Sequence, residues 1–194
     1  MPQLLDAIQQ RFACRAFQQD RPLRAEELAL LCEAGRLAPS AFGLEPWRFI
    51  PVTDAAARAR IAGACFDQPA ATNAAAFIVI VALVAALDPD SDYVRARFAA
   101  EARGGEVAPI DAAYRALHRA APLAAWAQGQ CHFAAAQVLL QATHMGLGSC
   151  PIGGFDAAAL AQSLALPPGE VPALVIALGQ CAEPAPARIR KPLE

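Results

Sequence analysis

Four arginines stand in pairs near opposite ends of the chain: Arg11 and Arg15 in Arg11-Phe12-Ala13-Cys14-Arg15, and Arg188 and Arg190 in the closing segment. A guanidinium presents a fixed fork of donors that suits a phosphate. The i, i+2 spacing of Arg188 and Arg190 puts both on one side of an extended chain. The two pairs serve one anion only if the terminal segment packs near the first helix; otherwise they are solvated surface pairs. A second candidate is the stretch Ala38-Pro39-Ser40-Ala41-Phe42-Gly43-Leu44-Glu45-Pro46-Trp47. One small polar residue, a glycine and a flanking aromatic suit a flat ligand held by backbone contacts. The same stretch is also a sufficient helix-to-strand connection. A second glycine-bearing loop is read over Ser149-Cys150-Pro151-Ile152-Gly153-Gly154-Phe155.

Other chemistries lack their signatures. No Gly-x-Ser-x-Gly elbow, Gly-x-x-x-x-Gly-Lys-Ser/Thr loop or Gly-x-Gly-x-x-Gly fingerprint occurs, and Gly146-x-Gly148 follows a helix rather than a strand. His118, His132 and His144 are not spaced as zinc ligands, so no metal is expected. What remains is chemistry carried by a bound cofactor.

The elements that must position these residues follow from pattern. The spacing predicts helices over about 3–10 and 25–37, the second opened by Glu26 and Glu27 and stopped by Pro39. A strand from Trp47 to Val52, a helix capped by Asp54 and a buried strand centred on Phe77–Val81 come next. The stretch from Asp88 to about Ala120 reads as one or two exposed helices joined by a mobile loop, either closing over a site or simply solvated. Leu123–Met145 is a long helix rich in small residues, expected to be buried on nearly every side and ended by Gly146. Asp156 caps a short helix to about Leu164, Val171–Gly179 is a buried strand, and 184–194 is an extended, proline-broken arm.

Composition sets outer bounds. With 194 residues, 56% hydrophobic and 18% charged, the chain can fill one domain and still have apolar surface for a subunit interface. A net charge of −2 without a basic stripe argues against nucleic acid. The apolar run Ala74–Leu87 is too short to cross a bilayer, and the N-terminus shows no secretory leader, so a cytoplasmic protein with no membrane partner is expected. Six scattered cysteines without a Cys-x-x-Cys pair are expected to be buried thiols rather than disulfides.

Taken in order, these segments resemble the nitroreductase family of FMN-dependent oxidoreductases. The match runs through Arg11–Phe17, Ala38–Trp47, Phe66-Asp67-Gln68-Pro69, Trp126-Ala127 with Gln130, Ser149–Asp156 and Arg188–Leu193. The resemblance implies an α+β, three-layer fold: a central mixed, mainly antiparallel sheet flanked by helices, in an intertwined homodimer. It implies one domain over 1–194, with the arm 184–194 reaching the partner subunit. FMN would lie at the dimer interface, with NADH or NADPH as reductant. Residue by residue, Arg11 and Arg190, assisted by Arg188, would hold the phosphate, Phe12 and Ala13 would be cofactor-binding, and Arg15 would sit by the pyrimidine edge. Pro39, Ser40, Ala41 and Gly43 would cover the ring from the partner chain. Asp67 and Gln68 would meet the ribityl or pyrimidine groups, and Pro151, Ile152, Gly153 and Gly154 would line the ring. Catalysis would be borne by the flavin, with no side-chain acid or base.

The activity implied is ping-pong hydride transfer from NAD(P)H through the flavin to a nitroaromatic, quinone or similar flat acceptor. Ala13 stands where the family usually has serine, Gly153 where it often has glutamate, and Ala70 where some members carry lysine. These departures also admit a flavin-binding or storage dimer with little turnover.

Overall fold

The computed structural model describes residues 4–193, so Gln3, expected at the start of the first helix, and Glu194 lie outside the described residues. Eight helices and four strands occur among the described residues, in the order α1 (Leu4–Gln10), α2 (Ala25–Arg36), β1 (Trp47–Val52), α3 (Ala55–Ala64), α4 (Pro69–Thr72), β2 (Ala76–Leu83), α5 (Asp92–Ala102), α6 (Ala108–Ala120), α7 (Leu123–His144), β3 (Gly148–Ile152), α8 (Ala157–Ser163) and β4 (Glu170–Gly179). The strands form one sheet in the order β1-β2-β4-β3. Every ladder in it is antiparallel; parallel pairing is confined to the isolated bridge between Ala13 and Ser149.

Strand alternation divides the core in two. On β2 and β4, Ile78, Ile80, Leu174, Ile176 and Leu178 point to one face, where α2, α5, α6 and α7 pack. Phe77, Val79, Val81, Val175 and Ala177 point to the other, against α3, α4 and α8. A period of two thus makes three layers from one sheet, and both central strands are buried along nearly their whole length. Pro172 cannot donate to a ladder, and the pairing slips there: Ile80 faces Leu174 but Val81 faces Pro172, leaving Ala173 as the extra residue of a bulge.

The helix ends follow their capping residues. Asp54 accepts a hydrogen bond from Ala57 N at 2.8 Å, and Asp156 accepts from Ala158 N and Ala159 N. At α2 the cap is reversed: Glu27, buried in the first turn, accepts from Arg24 N at 2.9 Å and pairs with Arg21 at 2.8 Å. Together with the charge of Arg21, these bonds hold its carboxyl down at about 2, against the opposing effect of burial.

Several expectations are corrected. The stretch read as a loop from Ser149 is an edge strand as far as Ile152, and Pro151 is tolerated because an edge position does not require its missing N–H. The one-turn helix α4 was not anticipated. Helices α5 and α6 are not simply exposed, since Val94, Phe98 and Tyr114 are fully buried in the main core. Helix α7 is not covered all round within the protomer, for Ala125, Gly129 and Ala136 are exposed and Phe133 is 53% exposed. The cysteines are not all thiols. Cys14 and Cys181 form a disulfide with Cα atoms 6.1 Å apart, while Cys32, Cys65, Cys131 and Cys150 are free. The bridges Ala13–Ser149 and Phe17–Cys181 draw the two segments together, and Gly148 leaves the space that the sulfurs fill. No helix among the described residues is long and apolar enough to cross a membrane.

Candidate functional site

The N-terminal arginines and the terminal arm meet. The arm runs beside α1, and residues 9–13 with residues 185–190 line a cavity of about 310 Å³. Arg188 makes this contact by capping α1. Its guanidinium donates to Gln9 O at 3.1 Å, to Ile8 O at 2.7 Å and to Arg11 O, carbonyls left open where the helix ends. Arg190 donates only to the neighbouring Ile189 O, at 2.6 Å. Burial first, then the charges of Arg188 and Arg190, lowers the Arg11 guanidinium from its ordinary value. Among the described residues no carboxylate pairs with Arg11, Arg15, Arg188 or Arg190.

A second, smaller cavity of about 160 Å³ adjoins this cluster and is shared by Arg11, Phe12 and Ser149. The Ser149 hydroxyl is buried without a hydrogen-bond partner. Arg11 and Arg190, held together by Arg188 with no carboxylate partner among the described residues and near a buried hydroxyl, fit a multivalent anion such as a phosphate.

The same side of the molecule collects more of the expected residues. The buried Cys150 thiol on β3 is pushed up by its burial and drawn back by the charges of Arg15 and Arg11, so β3 lies near both. Asn73 fixes the segment after Arg11: its amide donates to Arg15 O at 3.1 Å and to Pro69 O, and its carbonyl accepts from Phe17 N at 2.7 Å. Gln68 donates to Cys65 O and to Gly154 O at 2.8 Å, tying the turn before α4 to the strand end after Ile152. Asp67 is exposed in a turn where both Phe66 (φ 58°) and Asp67 (φ 48°) are left-handed. Pro151, Gly153 and Gly154 are exposed while Ile152 is buried, and a Cβ at Gly153 would meet nothing within 4 Å. These contacts place Ala13, the Arg15 backbone, Gln68 and Gly154 along the β3 edge, one surface of the molecule.

Pro39, Ser40, Ala41 and Gly43 do not join that surface through any hydrogen bond among the described residues. Their loop is built separately. Ser40 Oγ accepts from Glu45 N at 2.7 Å, and buried Gln130 on α7 accepts from Ala41 N at 2.9 Å. Asn73 and the α5 residues described below had no assigned role in the sequence reading. Asn73, beside Thr72 at the head of the apolar run into β2, is a lone amide there; Tyr93 and Arg97 of α5 are ordinary helix-surface types with no such signal.

The chain has relatives along nearly its whole length. Residues 8–180 match the model of the Nitroreductase family. An oxygen-insensitive NADPH nitroreductase of Helicobacter acinonychis is 30% identical over 190 residues, covering 95% of this chain and 90% of the relative. An NADH dehydrogenase of Thermus thermophilus is 34% identical over 190 residues, covering 97% and 91%. The fold is shared with a nitroreductase-like protein of Streptococcus mutans, with a TM-score of 0.84 at 21% identity over 97% of this chain and 93% of the other. It is also shared with a protein of Exiguobacterium sibiricum solved in complex with FMN, with a TM-score of 0.80 at 21% identity over 99% and 94%.

Proposed function

The chain belongs to the nitroreductase family and is an NAD(P)H-dependent oxidoreductase, and from that premise we propose that it carries FMN and works as a cytoplasmic homodimer. The observation that carries the cofactor is the cluster of Arg11, Arg188 and Arg190 without a carboxylate. Arg11 and Arg190 hold the phosphate, and Arg188, occupied with the end of α1, holds the arm that brings Arg190 there. Arg15 faces the pyrimidine edge, where a fixed positive charge favours a reduced, anionic ring. Asp67 and Gln68 contact the polar edge, and Pro151, Ile152, Gly153 and Gly154 give a flat, open wall on which a ring rests. The chemistry supplied by bound FMN is two-electron transfer, from NAD(P)H to a nitroaromatic, quinone or similar flat acceptor in ping-pong order.

The homodimer is supported by the surface left open in the protomer. Leu4, Leu5 and Ile8 of α1 and Phe133 of α7 are exposed, and a groove of about 600 Å³ between α1, α2 and α7 is lined by Leu4, Leu37 and Leu140 among others. Exposed leucines and a groove in which they alternate with Gln137, Gln141 and His144 suit a partner surface. A second protomer would bring its Pro39–Gly43 loop over the ring; residues 185–190 of the arm stay beside α1 of their own chain, so only the arm's end beyond Arg190 is left to reach that protomer. That arrangement gives a single 1–194 domain whose site is completed by two chains.

The test is to purify the protein, record its visible spectrum and identify the chromophore released by heating. About one FMN per chain is expected, with oxidation of NADH or NADPH in the presence of a quinone and a nitroaromatic. A colourless protein that ignores added FMN would overturn the reading. A yellow protein that turns over neither acceptor would favour a flavin-storing dimer.

A further inference from the structure

The loop between α2 and β1 is held by more than its internal bond from Glu45 N to Ser40 Oγ. Phe42 (φ 59°), Gly43 (φ 59°) and Glu45 (φ 44°) all lie in the left-handed region, which side-chain-bearing residues adopt only when their surroundings enforce it. The enforcement comes from α5, more than fifty positions along the chain. Arg97 Nε donates to Gly43 O at 2.7 Å, and the same guanidinium pairs with the Glu45 carboxylate. Tyr93 OH lies 2.6 Å from Leu44 O and 2.8 Å from Glu45 O, so its one proton is shared between two successive carbonyls. Glu101 completes the cover: its carboxylate lies 2.6 Å from where a Cβ on Gly43 would be. From α6, Tyr114 meets the Phe42 ring edge-on at a centroid distance of 5.5 Å.

We propose that Tyr93 and Arg97 are positioning residues for the electron-acceptor side of the site, fixing the backbone of residues 43–45 and so the clearance available to a flat acceptor. The inference rests on the reading that the Pro39–Gly43 loop covers the flavin, and it adds which helix sets that loop's height. Of the two readings left open for the stretch after Asp88, closing over a site or simply solvated, it favours a role at the site, as a fixed clamp. Both side chains end on the loop itself, at the carbonyls of residues 43–45. Both act through carbonyl groups of the loop, so their loss is expected to change acceptor fit while leaving cofactor retention intact.

The experiment uses the holoprotein and the variants Tyr93→Phe, Arg97→Lys and Arg97→Ala. Hydrogen exchange of the amides of residues 41–46 is measured alongside FMN content, the rate of reduction by NAD(P)H, and KM and kcat for benzoquinone and for the larger menadione. Tyr93→Phe keeps the ring and removes only the shared proton, so it tests the clamp even if Arg97→Ala does not fold. Expected are at least tenfold faster loop exchange, at least fivefold changes in acceptor KM that differ between the two quinones, and FMN content within 20% of the parent. Arg97→Lys, which keeps the charge opposite Glu45 but not the fork, is expected to fall between. Unchanged exchange, or faster exchange with both KM values unchanged, overturns the proposal, as does activity lost only in proportion to FMN. Failure of the underlying reading looks different: the parent itself would retain no FMN. The acceptor role would then fall with it, while the exchange data still judged the clamp.

Discussion

Arg11 and Arg97 are the same residue type in opposite settings. Arg11 sits half-buried among Arg188 and Arg190 with no carboxylate partner among the described residues, and its guanidinium is lowered by burial first and by that company second. Arg97 is matched within the chain by Glu45 and by the carbonyl of Gly43. The first region gathers like charge whose balance must come from outside, whereas the second spends its charge on shaping a strained backbone. A gathering of unmatched cations marks a ligand, and a matched one marks architecture. Counting arginines would not have separated the two.

The contrast breaks most sharply at Arg11. Arg11→Ala is expected to weaken FMN binding by about 1.5–3 kcal/mol, roughly 10- to 150-fold, by removing charge-assisted bonds to a phosphate. The melting temperature of the flavin-free protein should stay level or rise, because like charges are relieved; titration followed by flavin fluorescence and a thermal melt read both. A fall in apo stability with unchanged affinity would put Arg11 among the architectural arginines.

Glu27 offers the matched case in its most buried form. Glu27→Gln is expected to cost about 1–2 kcal/mol of unfolding free energy, since Arg24 N and Arg21 lose a charged acceptor. Its folded pKa, at about 2, lies below its ordinary value of 4.5. The stabilisation is therefore complete above about pH 4.5 and is lost as pH falls towards 2. Urea midpoints of parent and variant should converge across that window; parallel curves would show that the carboxylate contributes no linkage.

Arg97→Ala should cost less, about 1 kcal/mol, because the pair with Glu45 is partly solvated. The loss should appear in the apo protein, unlike that of Arg11→Ala. The smallest effect is expected at Ser149. Its unpartnered buried hydroxyl contributes nothing to the empty fold, so Ser149→Ala should leave apo stability unchanged or raise it by up to about 1 kcal/mol. A clear loss in a urea titration would mean that the hydroxyl is satisfied.

Local sequence made much of this visible. The unbroken apolar run through Phe77–Val81 identified a buried strand, and Asp54 and Asp156 announced the helices they cap. The motif order from Arg11 to Arg190 identified the family. The strand at Gly148–Ile152 escaped because Pro151 and its glycines are turn formers, overridden by pairing with β4. The Cys14–Cys181 disulfide escaped for a related reason: the partners are 167 positions apart, and their segments meet through the Phe17–Cys181 bridge and the bonds Gln18 N to Gln180 O and Ala182 N to Ala16 O.

By itself, then, the sequence determined periodicity, capping and the identity of the residues available to a cofactor, because these depend on neighbours a few positions away. The tertiary structure alone decided that Arg188 would cap α1 and deliver Arg190 beside Arg11, and that Arg97 would instead be matched by Glu45. Both outcomes depend on which distant segments the sheet order and the three-layer packing bring within hydrogen-bonding reach. A charge becomes a ligand group or a structural brace according to whether that packing supplies its counter-charge.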